Sequence, residues 1–134
     1  MELVGGEGWE LSVPPEWEAE EDGEFITIIK DEDGGAITVS AIIDEEENIS
    51  QDELEIYSRS KLSKGDKLTK LEVGEFQGFS AQFTDEKGVA WFHSWLAHQD
   101  LLVYFSYNGS PEAWESEKKD VQKILKTLKV RDEG

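Results

Sequence analysis

Val89-Ala90-Trp91-Phe92-His93-Ser94-Trp95-Leu96 and Leu101-Leu102-Val103-Tyr104-Phe105-Ser106-Tyr107 decide the fold of this 134-residue chain. Both stretches are β-rich, and both are apolar at either parity. Trp91 and Trp95 fall on one side of the first, Phe92 and Leu96 on the other. In the second, Leu101, Val103 and Phe105 oppose Leu102 and Tyr104. A strand that is apolar on both faces needs cover on both faces. His98-Gln99-Asp100 is too short a link for a parallel crossover, so the pair is antiparallel. Working toward the N-terminus, Leu71 to Phe76 and Phe79 to Thr84 read as two more strands, with Gly78 and Lys87-Gly88 as separators. The four form a meander.

The cover comes from two helices. Ile49-Ser50-Gln51-Asp52-Glu53-Leu54 has capping-box spacing at Ser50 and Glu53, and staple spacing at Ile49 and Leu54. It predicts a helix near 51–64, starting at Gln51 and ending before Gly65, with Leu54, Tyr57, Ser58 and Leu62 inward and Ile56 outward. Ser110-Pro111 supplies a cap and a first-turn proline for a second helix near 111–129. Trp114, Lys118, Val121, Leu125 and Leu128 share one face of it, with Ile124 beside them. Glu112 and Glu115 early, and Lys126 and Lys129 late, complement the helix dipole.

Further upstream, Trp9-Glu10-Leu11-Ser12-Val13 alternates as a strand and Pro14-Pro15 ends it. An acidic turn through Gly23 follows. Phe25 to Ile29 and Ala36 to Ile43 make a hairpin around Asp31-Glu32-Asp33-Gly34-Gly35. The expected architecture is α+β, with an antiparallel sheet of about six to seven strands and both helices packed on it. The length suits one domain, residues 1–134 with a core over about 8–130, in which roughly two-thirds of the unfolded surface is buried.

This pattern resembles the PsbP-like fold, shared by the photosystem II extrinsic protein, a fungal Ran-binding nuclear import factor and many small bacterial domains of unknown function. The resemblance rests on the opening Trp9-Glu10-Leu11-Ser12-Val13-Pro14-Pro15-Glu16-Trp17, the hairpin, the capped helix around Ser50–Ser63 and the strand with Gly78-Phe79-Ser80-Ala81. It closes on Tyr104-Phe105-Ser106-Tyr107, a Ser-Pro break and a helix ending Ile124-Leu125-Lys126-Thr127-Leu128. It implies a sandwich that binds proteins as an adaptor, chaperone or extrinsic subunit. It supplies no functional residue, because none matches by motif. One departure is the start of the chain. Met1 to Glu7 has neither the basic nor the apolar region of an export signal, so the expected location is the cytoplasm. No stretch approaches the run of about 18 apolar residues that a membrane helix needs.

Charge narrows the function. Acids outnumber bases 31 to 13, a formal net charge of −18. That argues against nucleic acid and against anionic membranes as partners. Residues 1–50 hold 16 of the acids and a single base, Lys30. With no cysteine there is no disulfide, thiolate catalysis or Cys-type zinc site. An EF-hand loop beginning at Asp31 fails, because Gly35 and Ile42 stand where acidic ligands belong. Gly78-Phe79-Ser80-Ala81-Gln82 nearly matches a nucleophile elbow, but Gln82 replaces the last glycine and the context is a strand. No phosphate-binding glycine loop is present. We therefore expect no catalytic residue, metal or cofactor, and no enzyme.

Three function classes remain. The first is a protein-binding module (adaptor, chaperone or immunity-type partner) that meets another, basic protein through Asp44, Glu45, Glu46, Glu47 and the outward Ile56. The second is an acidic nucleic-acid mimic that blocks a basic protein. The third is a small-ligand site on the face that carries Trp91, His93 and Trp95. Adaptation to high salt would explain the charge without any partner, although eleven Lys against two Arg weighs against an extreme case.

Overall fold

A computed structural model describes residues 2–63 and 65–131. In chain order the elements are β1 (Glu2–Gly6), β2 (Trp9–Val13), β3 (Glu18–Asp22), β4 (Phe25–Ile29), β5 (Ala36–Ile43), α1 (Gln51–Ser60), β6 (Thr69–Val73), β7 (Phe76–Thr84), β8 (Ala90–His98), β9 (Leu101–Gly109), α2 (Pro111–Lys126) and β10 (Lys129–Val130). Seven strands form one antiparallel sheet in the order β3-β4-β5-β9-β8-β7-β6. A smaller sheet, β1-β2-β10, is also antiparallel. The architecture is the expected α+β arrangement of an antiparallel sheet with two helices.

The main core lies between one face of the large sheet and a second layer made of the small sheet and α2. Ile28, Ile37, Val39, Val103, Phe105 and Leu96 meet Trp9, Leu11 and Val13 of β2 and Trp114, Val121, Ile124 and Leu125 of α2. All are buried, and each contributes about 1.5–3 kcal/mol of transfer free energy. α1 covers part of the opposite face, where Leu54 packs with Phe79, Ala81, Trp95 and Ala97. Cover on both faces of β8 is what its apolar sequence required.

Both helices begin where the caps place them. Ser50 Oγ accepts the Glu53 N–H at 3.1 Å, and Ser110 Oγ accepts that of Ala113 at 3.0 Å. Both end early. α1 stops at Ser60 rather than near 64. The Ser58 and Ser60 hydroxyls bond back to the Leu54 and Tyr57 carbonyls, and the Lys61 N–H tightens onto the last turn. α2 stops at Lys126 because Thr127 turns away: its Oγ1 donates to the Ile124 carbonyl and accepts the Ser12 N–H at 2.8 Å. Lys129 and Val130 then pair with Glu10 and Trp9 as β10 instead of extending the helix.

Three strands escape the sequence pattern: β1, β3 and β10. The segment expected to be an acidic turn is β3, Glu18-Ala19-Glu20-Glu21-Asp22, paired along its length with β4. It is an outer edge of the large sheet, where charged side chains discourage pairing with other molecules. Gly78 is a second correction. It lies inside β7, and the turn is at Gly74 (φ +58°). A Cβ at Gly78 would sit 1.8 Å from the Trp95 carbonyl oxygen, so glycine here permits close strand approach. Among the described residues, no helix is long and apolar enough to cross a membrane.

Candidate functional site

Alternation along β8 places Trp91, His93 and Trp95 on the face that α1 partly covers. Register adds their neighbours. Trp95 pairs with Tyr104 of β9, which pairs with Ser40 of β5; Trp91 pairs with Phe83 of β7. The result is an aromatic ladder centred on His93. Its imidazole stacks on Trp91 at 5.3 Å and on Trp95 at 5.4 Å, with interplanar angles of 5° and 15°. Phe83 and Tyr104 stack on it at 5.5 and 5.7 Å. His93 Nδ1 is hydrogen-bonded to the Tyr104 hydroxyl.

Burial sets the charge of this pair. It lowers the His93 pKa from its ordinary value, with the Asp66 charge opposing. It raises that of Tyr104, with a Ser106 hydrogen bond opposing and Tyr57 adding. Imidazole and phenol are both neutral at neutral pH. Trp91 is held from the rim: its indole N–H donates to Asp85 Oδ2 at 2.8 Å. Asp85 Oδ1 also accepts the Lys87 and Val89 N–H groups at 2.9 Å, organising the β7–β8 turn. These bonds, that of Trp91 foremost, hold the Asp85 carboxyl below its ordinary range.

Beside the ladder is a groove of about 400 Å³ between α1 and strands β5, β8 and β9. Ser40, Ile42, Tyr57, Lys61, His93, Trp95, Leu102 and Tyr104 line it. Of the three residues expected on this face, His93 and Trp95 line the groove and Trp91 belongs to the ladder instead. Ser40, Ile42, Tyr57, Lys61 and Tyr104 were not among the expected site residues. Tyr104 was recoverable, since a turn at Gln99-Asp100 sets it opposite Trp95. The others depend on how α1 lies over the sheet, which no local pattern encodes. Tyr57, expected inward with Leu54, stays 42% exposed at the groove mouth.

The acidic candidates lie elsewhere. Asp44 to Glu47 form the link between β5 and α1. Asp44 is committed to structure, because its Oδ1 accepts the N–H groups of Glu46 and Glu47 at 3.0 and 3.4 Å. The link is pinned to the β8–β9 turn by Asp44 N–H to the Asp100 carbonyl and Ile49 N–H to that of Gln99, both 2.8 Å. Glu45 joins Glu7, Glu21 and Glu24 around a separate cleft of about 560 Å³. Ile56 points outward, 72% exposed. Ser80 of the near-match motif sits mid-strand opposite Ser94, on the other side of the sheet from His93. No Ser–His pair forms there.

No protein-family model matches this chain, and no curated protein does. Solved structures do. A protein of Bacteroides thetaiotaomicron aligns with TM-score 0.65 and 18% identity over 94% of this chain, which spans only 46% of that protein. The cyanobacterial PsbP, CyanoP, of Synechocystis sp. PCC 6803 aligns with TM-score 0.62 and 11% identity, over 92% of this chain and 87% of its own. LpqN of Mycobacterium tuberculosis, involved in cell envelope biogenesis, aligns with TM-score 0.58 and 14% identity, over 98% of this chain and 90% of its own. At these identities the likeness concerns the fold, and the fold is PsbP-like.

Proposed function

We propose that this domain is a non-catalytic protein-binding module whose interface lies at the α1 end of the large sheet. The observation that carries the reading is the placement of exposed apolar side chains. Ile42 is 61% exposed on β5, and Ile56 and Tyr57, 72% and 42% exposed, project from α1. The acidic link Asp44–Glu47 runs between these two elements. An apolar centre with a charged rim is the usual anatomy of a transient interface. The rim would steer a basic partner and the isoleucines would hold it. The chemistry-bearing side chains also support the reading, since Ser80 and His93 face opposite ways and His93 is bonded to Tyr104.

The test uses the immobilised protein, native lysate and a salt gradient. A stoichiometric basic partner should be retained. Ile42→Glu should weaken its binding about tenfold or more. Lysine at Glu45, Glu46 and Glu47, with Asp44 kept for the turn, should slow association. No partner, or one indifferent to both changes, would sink the reading.

A further inference from the structure

The groove between α1 and the sheet differs in charge from the rest of the molecule. The chain has 31 acids, yet no carboxylate lines this groove and one ammonium, Lys61, does. Lys61 Nζ lies over the Tyr57 ring, 5.1 Å from its centre. Among the described residues it makes no ion pair, as is true of most basic residues here, but it is the one that lines this groove. Ser40 adds a hydroxyl to the same lining. The remaining wall is aromatic and aliphatic. The volume, about 400 Å³, falls at the small end of ligand pockets, which span roughly 300–1,000 Å³.

We propose that this groove binds a small aromatic monocarboxylate, its ring against Tyr57 and Tyr104 and its carboxylate on Lys61. The ring requirement follows from the aromatic walls, which favour a planar apolar body. The carboxylate follows from the one charged side chain in the lining, an exposed ammonium, to which an ionised oxygen would make a charge-assisted hydrogen bond. The single charge follows from electrostatics. One lysine neutralises one negative charge, and a net charge of −18 repels each further one. Nucleotides and other polyanions are thereby disfavoured. The groove shares Ile42 and Tyr57 with the proposed interface, but the inference is separable from it, because its test reads small-molecule binding by this chain alone.

The residue inventory makes the test clean. The chain has two histidines and three tyrosines. His93, Tyr57 and Tyr104 line the groove, while His98 packs on Phe76 and Tyr107 lies in the main core. Indole-3-acetate and phenylacetate would be titrated against ring resonances by NMR, with the corresponding amides as neutral controls. The acids should shift His93, Tyr57 and Tyr104 and leave His98 and Tyr107 in place. The amides should bind about tenfold more weakly. Lys61→Met should erase that difference and Lys61→Arg should keep it, with the Tyr107 signal reporting an intact fold in each. Shifts absent at millimolar ligand, shifts at His98 instead, or acids and amides binding equally would each overturn the proposal. Loss of the protein partner alone would leave these results unmoved.

Discussion

The two faces of the seven-stranded sheet are built from the same strands but treated differently. On one, Ile28, Ile37, Val39, Val103, Phe105 and Leu96 are sealed beneath β2 and α2. On the other, α1 packs over β7 and β8 and leaves the β3–β4–β5 side open, with Phe25 and Ile42 more than half exposed. Neighbouring residues of one strand therefore have opposite duties. Phe105 anchors the fold, while Tyr104 lines a groove with His93. Stability is concentrated on the sealed face, which leaves residues on the open face freer to vary.

The largest expected effect breaks the sealed face. Phe105→Ala should cost about 3–5 kcal/mol, because a fully buried ring leaves a cavity. Thr38 lies on the open face of β5, opposite Ser106. Thr38→Ala should stay within about 0.5 kcal/mol. Denaturant midpoints of the two variants measure the asymmetry directly. Comparable losses would mean that both faces carry the fold.

Next is a polar clamp inside the sealed region. Glu117 is buried on α2, and its Oε1 accepts the Gly35 N–H at 2.9 Å and the Tyr107 O–H at 2.8 Å. Burial, reinforced by this carboxylate, raises the Tyr107 pKa strongly, so the phenol keeps the proton it donates. Glu117→Ala strands both donors and should cost about 2–3 kcal/mol. Glu117→Gln retains an acceptor oxygen and should cost less. Equal losses would indicate that charge, rather than acceptance, holds the hairpin turn to α2.

How much of this was legible follows from the same asymmetry. The sealed face announces itself by periodicity: Trp9, Leu11 and Val13, then the α2 stripe. β3 was hidden, because an edge strand rich in acids has the composition of a turn. Gly78 was misplaced because close approach of β8 and a turn call for the same residue. Nothing local distinguishes Glu117 from a helix-surface acid; its burial comes from the Gly34-Gly35 turn packed against it. The aromatic ladder was partly visible, since parity aligns Trp91, His93 and Trp95. Lys61 was not, because its role depends on where α1 ends.

The third expectation concerns pH. His93 is harder to protonate in the folded chain than in the unfolded one, chiefly through burial. Below its ordinary value of 6.5, the unfolded chain therefore binds the extra proton. Its contribution to stability is intact above that value and is lost as pH falls through it toward the lower folded value. Unfolding free energies between about pH 8 and pH 5 should decline more steeply for the native protein than for His93→Asn. Parallel curves would place His93 in a far wetter setting than its four aromatic neighbours imply.

The smallest expected effect separates recognition from folding. Ile56 is 72% exposed, two residues from buried Leu54 on α1. Isoleucine and serine have similar helix propensities, so Ile56→Ser should shift stability by no more than about 0.5 kcal/mol. If the α1 end is the interface, the same change should speed dissociation of the partner without altering its rate of association, because an apolar contact acts after encounter. The acidic link should do the reverse, since charges act on encounter. A variant that leaves both rates unchanged would remove Ile56 from the interface and confine it to β5, the acidic link and the groove mouth.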